Sequence, residues 1–167
     1  MTSRLSKKNR TRTPSRTQVL NTQRRYKLRR HAVSAFCDGV LRVLGVPERS
    51  LGVVFVSAGK MRDLNRQYLD RDYPTDVLSF GYQGESMEGS PFLGEIVIAP
   101  EIAWRQARRW RSRPEREIRK LLVHGILHLL GYDHEADAGE MNRLQRRILR
   151  RRACVREGPV METSEAT

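Results

Sequence analysis

The chain has 167 residues, 38% of them hydrophobic, and carries 32 Lys and Arg against 19 Asp and Glu for a formal net charge of +13. One domain with a real core fits that length. No apolar run approaches the roughly 20 residues of a membrane span, and no apolar block behind a basic start marks a secretory signal. The excess charge points to a polyanionic partner, with nucleic acid ahead of an anionic membrane surface.

The first acidic residue is Asp38, and residues 1–16 mix basic side chains with Ser, Thr and Asn. Such a segment buries too little surface to offset its ordering entropy, so it is expected to be a disordered basic arm. Its Arg- and Ser-rich composition also resembles a transit peptide, which sets an organelle as the alternative to a cytoplasmic location. Residues 17–22 suit a short strand. From Arg24 to Leu44, apolar residues including Leu28, Val33, Phe36 and Val40 recur at helical spacing, and the helix should stop before Pro47. Cys37 falls inside that stripe and reads as core. It lies far from Cys154, so neither a disulfide framework nor a cysteine-rich zinc module is indicated.

Residues 51–57 (LGVVFVS) read as a buried strand, 59–69 as a helix, 76–82 (DVLSFGY) as a strand, 83–91 as a loop or hairpin tip, and 93–99 (LGEIVIA) as a strand. Helices follow at about 100–112, 114–130 and 137–152, with Pro114 suited to a first helical position. Trp104 and Trp110 sit at spacing that suits core packing, and residues 158–167 are expected to form a flexible tail. The reading is an α+β fold: a single domain over 17–157, with a small mixed sheet packed against helices.

Three of the four histidines lie close together, in His124-Gly-Ile-Leu-His128-Leu-Leu-Gly131-Tyr-Asp-His134. Four residues apart on a helix, His124 and His128 project from one face. Gly131 lets the helix end with φ > 0, so the chain can return His134 as a third ligand. Three protein ligands with an open fourth position are the arrangement of a catalytic zinc, one Zn2+ per chain, at the end of a central helix. Zinc lowers the pKa of bound water toward 7, which supplies hydroxide without a dedicated base. The spacing equals that of the metzincin proteases, H-E-x-x-H-x-x-G-x-x-H, but Gly125 stands where their general base stands. A protease mechanism is therefore disfavoured.

HGILHLLGYDH closely resembles the H-G-x-L-H-L-x-G-Y-D-H signature of the YbeY family of endoribonucleases and rRNA maturation factors. Pro74–Phe80 (PTDVLSF) is similar to that family's P-T-[DN]-V-L-S-F, and Leu93–Ile96 (LGEI) to its L-G-[DE]-I. The resemblance spans about residues 17–152. It implies zinc held by the three histidines, metal-dependent cleavage of single-stranded RNA, and maturation of ribosomal RNA, especially the 3′ end of the small-subunit species. It also implies a part in ribosome quality control, with the ribosome or small-subunit proteins as partners.

One position departs from the pattern. The family's L-N-x-x-[YF]-R carries an arginine held to be important for activity, and here Leu69 follows Tyr68. Arg71 is taken as the catalytic substitute, with Arg66 on the other side as an RNA contact. Asp133 either orients a ligand imidazole or caps the turn. Arg105, Arg108 and Arg109, on the helix leading toward the histidines, are candidate RNA contacts. Asp76 and Ser79 are candidates to line the cleft. Two other readings stay open: an RNA-binding assembly factor with a structural metal, and a metal hydrolase of peptides or small molecules.

Overall fold

The computed structural model describes residues 15–82, 91–133, 138–151 and 158–165. Most of the basic arm, the tip at 83–90, His134 and Cys154 lie outside the described residues. The elements run β1 (Thr17–Asn21), β2 (Tyr26–Leu28), α1 (Arg30–Val43), β3 (Ser50–Phe55), α2 (Ala58–Leu69), β4 (Val77–Gly81), β5 (Phe92–Ile98), α3 (Pro100–Arg109), α4 (Pro114–Leu129), α5 (Glu140–Leu149) and β6 (Met161–Glu165). The expected α+β domain is what forms.

Four strands make a mixed sheet in the order β1-β3-β5-β4. β1, β3 and β5 are parallel, and β4 lies antiparallel on β5, with Ser79 opposite Ile96. Side chains alternate between faces along a strand, and the core divides accordingly. Leu51, Val53, Phe55, Ile96 and Ile98 pack with α1, α4 and α5, while Val56 and Val97 join Met61 of α2 in a smaller cluster. Cys37 is fully buried in the larger cluster, and burial pushes its thiol well above the usual thiol range. Among the described residues no helix is long and apolar enough to cross a membrane.

Two stretches differ from the expectation. The helix predicted from Arg24 begins only at Arg30, because Tyr26–Leu28 is extended. The buried side chain of Gln23 explains this: its Oε1 accepts from Tyr26 N–H at 2.9 Å and its Nε2 donates to Tyr26 C=O at 2.8 Å. Both backbone groups are thus satisfied outside a helix. The predicted flexible tail instead supplies β6, antiparallel to β2, with Val160 and Met161 buried and Arg29 N–H donating to Val160 C=O at 3.0 Å. Leu28 is apolar because it packs on the core from a strand, which mimics one step of a helical stripe.

Trp104 does pack on the core, its ring 5.3 Å from that of Tyr26. Trp110 does not. α3 ends at Arg109 and Arg111 takes φ 50°, so the helical phase is lost and Trp110 is left 70% exposed.

Candidate metal centre

α4 begins with Pro114 in its first turn together with Glu115 and Glu117, whose charges suit the positive end of the helix dipole. Ile118, Leu122, Val123, Ile126 and Leu127 then bury one side of it. His124 and His128 are half-buried, and their Nε2 atoms converge to 3.0 Å. Two nitrogens bound to one tetrahedral ion at 2.0–2.1 Å would stand roughly 3.3 Å apart. The pair is therefore set close to ligand spacing by the helix alone.

The other nitrogen of His124 fixes its tautomer. Nδ1 lies 3.2 Å from Oε1 of Gln145, a buried residue of α5; an amide oxygen only accepts, so this contact selects the tautomer with its hydrogen on Nδ1. The lone pair is left on Nε2, facing His128. A buried acceptor behind a ligating imidazole is the usual way its orientation and basicity are set.

The helix closes as the glycine requires. Gly131 has φ 89°, its N–H donates to His128 C=O at 2.9 Å, and Tyr132 N–H donates to Leu127 C=O at 3.0 Å. These two bonds define a Schellman cap, which reverses the chain just after the second histidine. Asp133 lies exposed beyond that turn. Among the described residues no group of three metal-ligating side chains is present, and a third histidine would have to come from outside them. His134 is the next residue along the chain. The donor set fits a nitrogen-bound zinc.

Gly125 is buried where α4 crosses β5. A Cβ built there would meet Ile96 at 2.7 Å from Cγ2 and 2.9 Å from Cδ1. A carboxylate at this position would run into the core, so the protease base has no place in this helix.

The arginines beside Leu69 are not equivalent. Arg62 grips Asp72 with two bonds of 2.9 and 2.8 Å, which holds the Asp72 carboxyl below its ordinary range. Arg66 lies 3.5 Å from Asp63 and 3.8 Å from Asp72. Arg71 is exposed and, among the described residues, has no ion pair. Its turn is pinned by buried Asn65, whose Nδ2 donates to Tyr73 C=O at 2.7 Å and whose C=O accepts from Arg71 N–H at 3.3 Å. Arg71→Ala is accordingly expected to lose far more RNA-cleaving activity than Arg62→Ala, measured as initial rates on one labelled strand. Equal losses would remove Arg71 from the site.

Arg105 pairs with Glu101 one turn away, Arg109 lies over the Trp110 ring, and both, like Arg108, are exposed. Asp76 is tethered structurally: its Oδ1 accepts from Val77 N–H at 2.9 Å and its Oδ2 from Gln106 Nε2 at 2.9 Å. The pattern PTDVLSF is thus partly a clamp between β4 and α3. Gln145 is the site residue that the sequence reading missed. The signal was present, since Gln145 is the one polar member of the buried row Met141, Gln145, Ile148 on α5.

Comparison with known proteins bears on what this centre belongs to. The family described as Endoribonuclease YbeY matches residues 15–153. The chain belongs to the YbeY family. A curated Endoribonuclease YbeY of Aquifex aeolicus is 40% identical over 122 residues, covering 73% of this chain and 81% of that one. Another, of Pelotomaculum thermopropionicum, is 42% identical over 118 residues, covering 68% and 74%. A solution structure from Thermotoga maritima is 28% identical with a TM-score of 0.57, covering 80% of this chain and 86% of that one. The YbeY match spans both histidines of the pair, Gln145 and the Leu69 departure.

Proposed function

We propose that the chain is a zinc-dependent endoribonuclease that cuts single-stranded RNA and matures the 3′ end of small-subunit ribosomal RNA in the cytoplasm, working with the ribosome in its quality control. The observation that carries this reading is the convergent His124 and His128 pair, with Nε2 atoms 3.0 Å apart and Gln145 behind one of them, in a chain of the YbeY family. His124, His128 and His134 would hold the ion, which when bound supplies Lewis acidity and water activation at neutral pH. The chain itself contributes the fixed imidazole orientation and, through Arg71, a cation for a phosphate oxygen. The net charge of +13 suits an RNA substrate.

The deciding experiment is cleavage of a labelled single-stranded ribosomal fragment by zinc-loaded protein, metal-stripped protein and His128→Ala. Stripping or substitution is expected to lower the rate by more than about 100-fold, with zinc restoring only the stripped wild type. Cleavage that persists in His128→Ala would refute the reading. Tight binding with no cleavage by the loaded wild type would make the chain an assembly factor with a structural metal. Hydrolysis of peptides is opposed by the Gly125 contact with Ile96.

A further inference from the structure

α5 has two unlike faces. Met141, Gln145 and Ile148 are buried, and Gln145 holds His124. Arg143, Arg146, Arg147 and Arg150 recur at i, i+3, i+4 and i+7 on the other side, all exposed. A merely solvated helix face is favoured by alternating signs, and like charges at i,i+4 are unfavourable. Here Arg143–Arg147 and Arg146–Arg150 are both such pairs. Among the described residues Arg146, Arg147 and Arg150 have no ion pair, and Arg143 donates to Ala138 C=O at 2.9 Å.

Open hollows lie between these side chains and their neighbours. A hollow of about 400 Å³ between Tyr132, Arg143 and Arg147 opens beside the turn that follows the histidine helix. Arg143 and Arg147 continue into a second hollow of about 360 Å³ with Arg146 and Arg150. Those last two wall a third, of about 570 Å³, with Arg113 and Arg116 of the start of α4. Among the described residues two carboxylates line the run. Glu140 lies at its head, and Glu115 is paired with Arg119 at 2.9 Å.

We infer that this arginine-walled groove along α5 binds the phosphate backbone of a single RNA strand and leads it to the histidine pair. The inference rests on the proposed RNA-cleaving function and adds to it the path of the strand. Gln145 couples the two, since one helix carries both the groove and the residue that orients His124. The expected occupant is a backbone rather than a set of bases, because among the described residues the groove offers cations with Tyr132 as its one aromatic wall.

The test is anisotropy of a fluorescent single-stranded 2′-O-methyl RNA with the zinc-loaded full chain, titrated across salt. The variant Arg143→Gln/Arg146→Gln/Arg147→Gln/Arg150→Gln is compared with a control of equal charge loss elsewhere, Arg24→Gln/Arg30→Gln/Arg42→Gln/Lys60→Gln. The groove variant is expected to bind roughly 10–100-fold more weakly, with its salt slope shallower by about 2–3 units, and the control to change far less. Replacing the four arginines by lysine should keep most of the slope. If the fourfold glutamine variant does not fold, Arg146→Gln/Arg150→Gln should still lose about half of the change.

Equal losses in the groove and control variants would overturn the inference. So would polyglutamate competing as well as RNA, which would assign the groove to an acidic protein. Weak binding by the groove variant alongside a wild type that cuts no RNA would retain the groove and refute the nuclease. A cutting wild type with unchanged binding in the groove variant would do the reverse.

Discussion

Gln145→Leu is expected to weaken zinc binding by about 10–100-fold while leaving the fold in place. Leucine keeps the volume and apolar fit of the row Met141–Ile148, but it removes the acceptor 3.2 Å from His124 Nδ1. The imidazole is then free to rotate or to carry its hydrogen on Nε2, the nitrogen that faces His128. A half-buried Nδ1–H without a partner also costs about 1–3 kcal/mol, so a modest fall in Tm accompanies the loss. Gln145→Glu separates positioning from bulk, because a carboxylate accepts from Nδ1–H at least as well and should restore affinity. The measurement is zinc competition against a chromophoric chelator, read beside circular dichroism. Unchanged affinity in Gln145→Leu would show that the hydrogen bond does not set the ligand. A loss that Gln145→Glu fails to recover would make Gln145 a packing residue only.

The histidine pair was legible because a helix has one period. Positions 124 and 128 share a face whatever the helix packs on, and Gly131 announces its own positive φ. Gln145 was not legible as a partner, since nothing local ties residue 145 to residue 124. Only the packing of α5 on α4 does so. Strands β3 and β5 declared themselves through β-branched residues between turn residues, and β4 through the apolar Val77, Leu78 and Phe80 after the turn at Tyr73-Pro74. β2 and β6 did not, because a three-residue strand closed by a side-chain amide carries no period, and the strand that pairs with it lies 133 to 139 residues away, from Leu28↔Met161 to Tyr26↔Glu165. Trp110 was misplaced for a similar reason: its spacing from Trp104 is helical only if the helix continues, and the turn at Arg111 intervenes. Arg105, Arg108 and Arg109 are legible because they share one helical stretch of the sequence. The set on α5 needed three dimensions, because its hollow beside Arg113 and Arg116 is shared by two helices and a returning chain end.

Gly125 connects the fold to the chemistry that the site does not perform. Gly→Ala inside a helix ordinarily stabilises by about 1 kcal/mol. Here the added methyl meets Ile96 at 2.7–3.0 Å from three of its carbons, and Ile96 is fully buried. Overpacking of this kind costs about 1–3 kcal/mol, so Gly125→Ala should lose the usual gain and be net destabilising by up to roughly 2 kcal/mol. Gly125→Glu, which restores the protease signature letter for letter, should fail to fold, because its carboxylate would be forced into an apolar core without a partner. The cause can be isolated with Ile96→Ala, which alone costs about 2–5 kcal/mol through its cavity. In the Gly125→Ala background that cost should shrink by at least about 1 kcal/mol, a coupling that urea unfolding of the four chains measures directly. Additive costs, or a stabilised Gly125→Ala, would mean that α4 does not need its close approach to β5. With coupling present, the glycine between the two histidines is a packing requirement of the fold. The absence of a base there then follows from how the helix meets the sheet, and the phosphodiester chemistry has to take its proton acceptor from elsewhere.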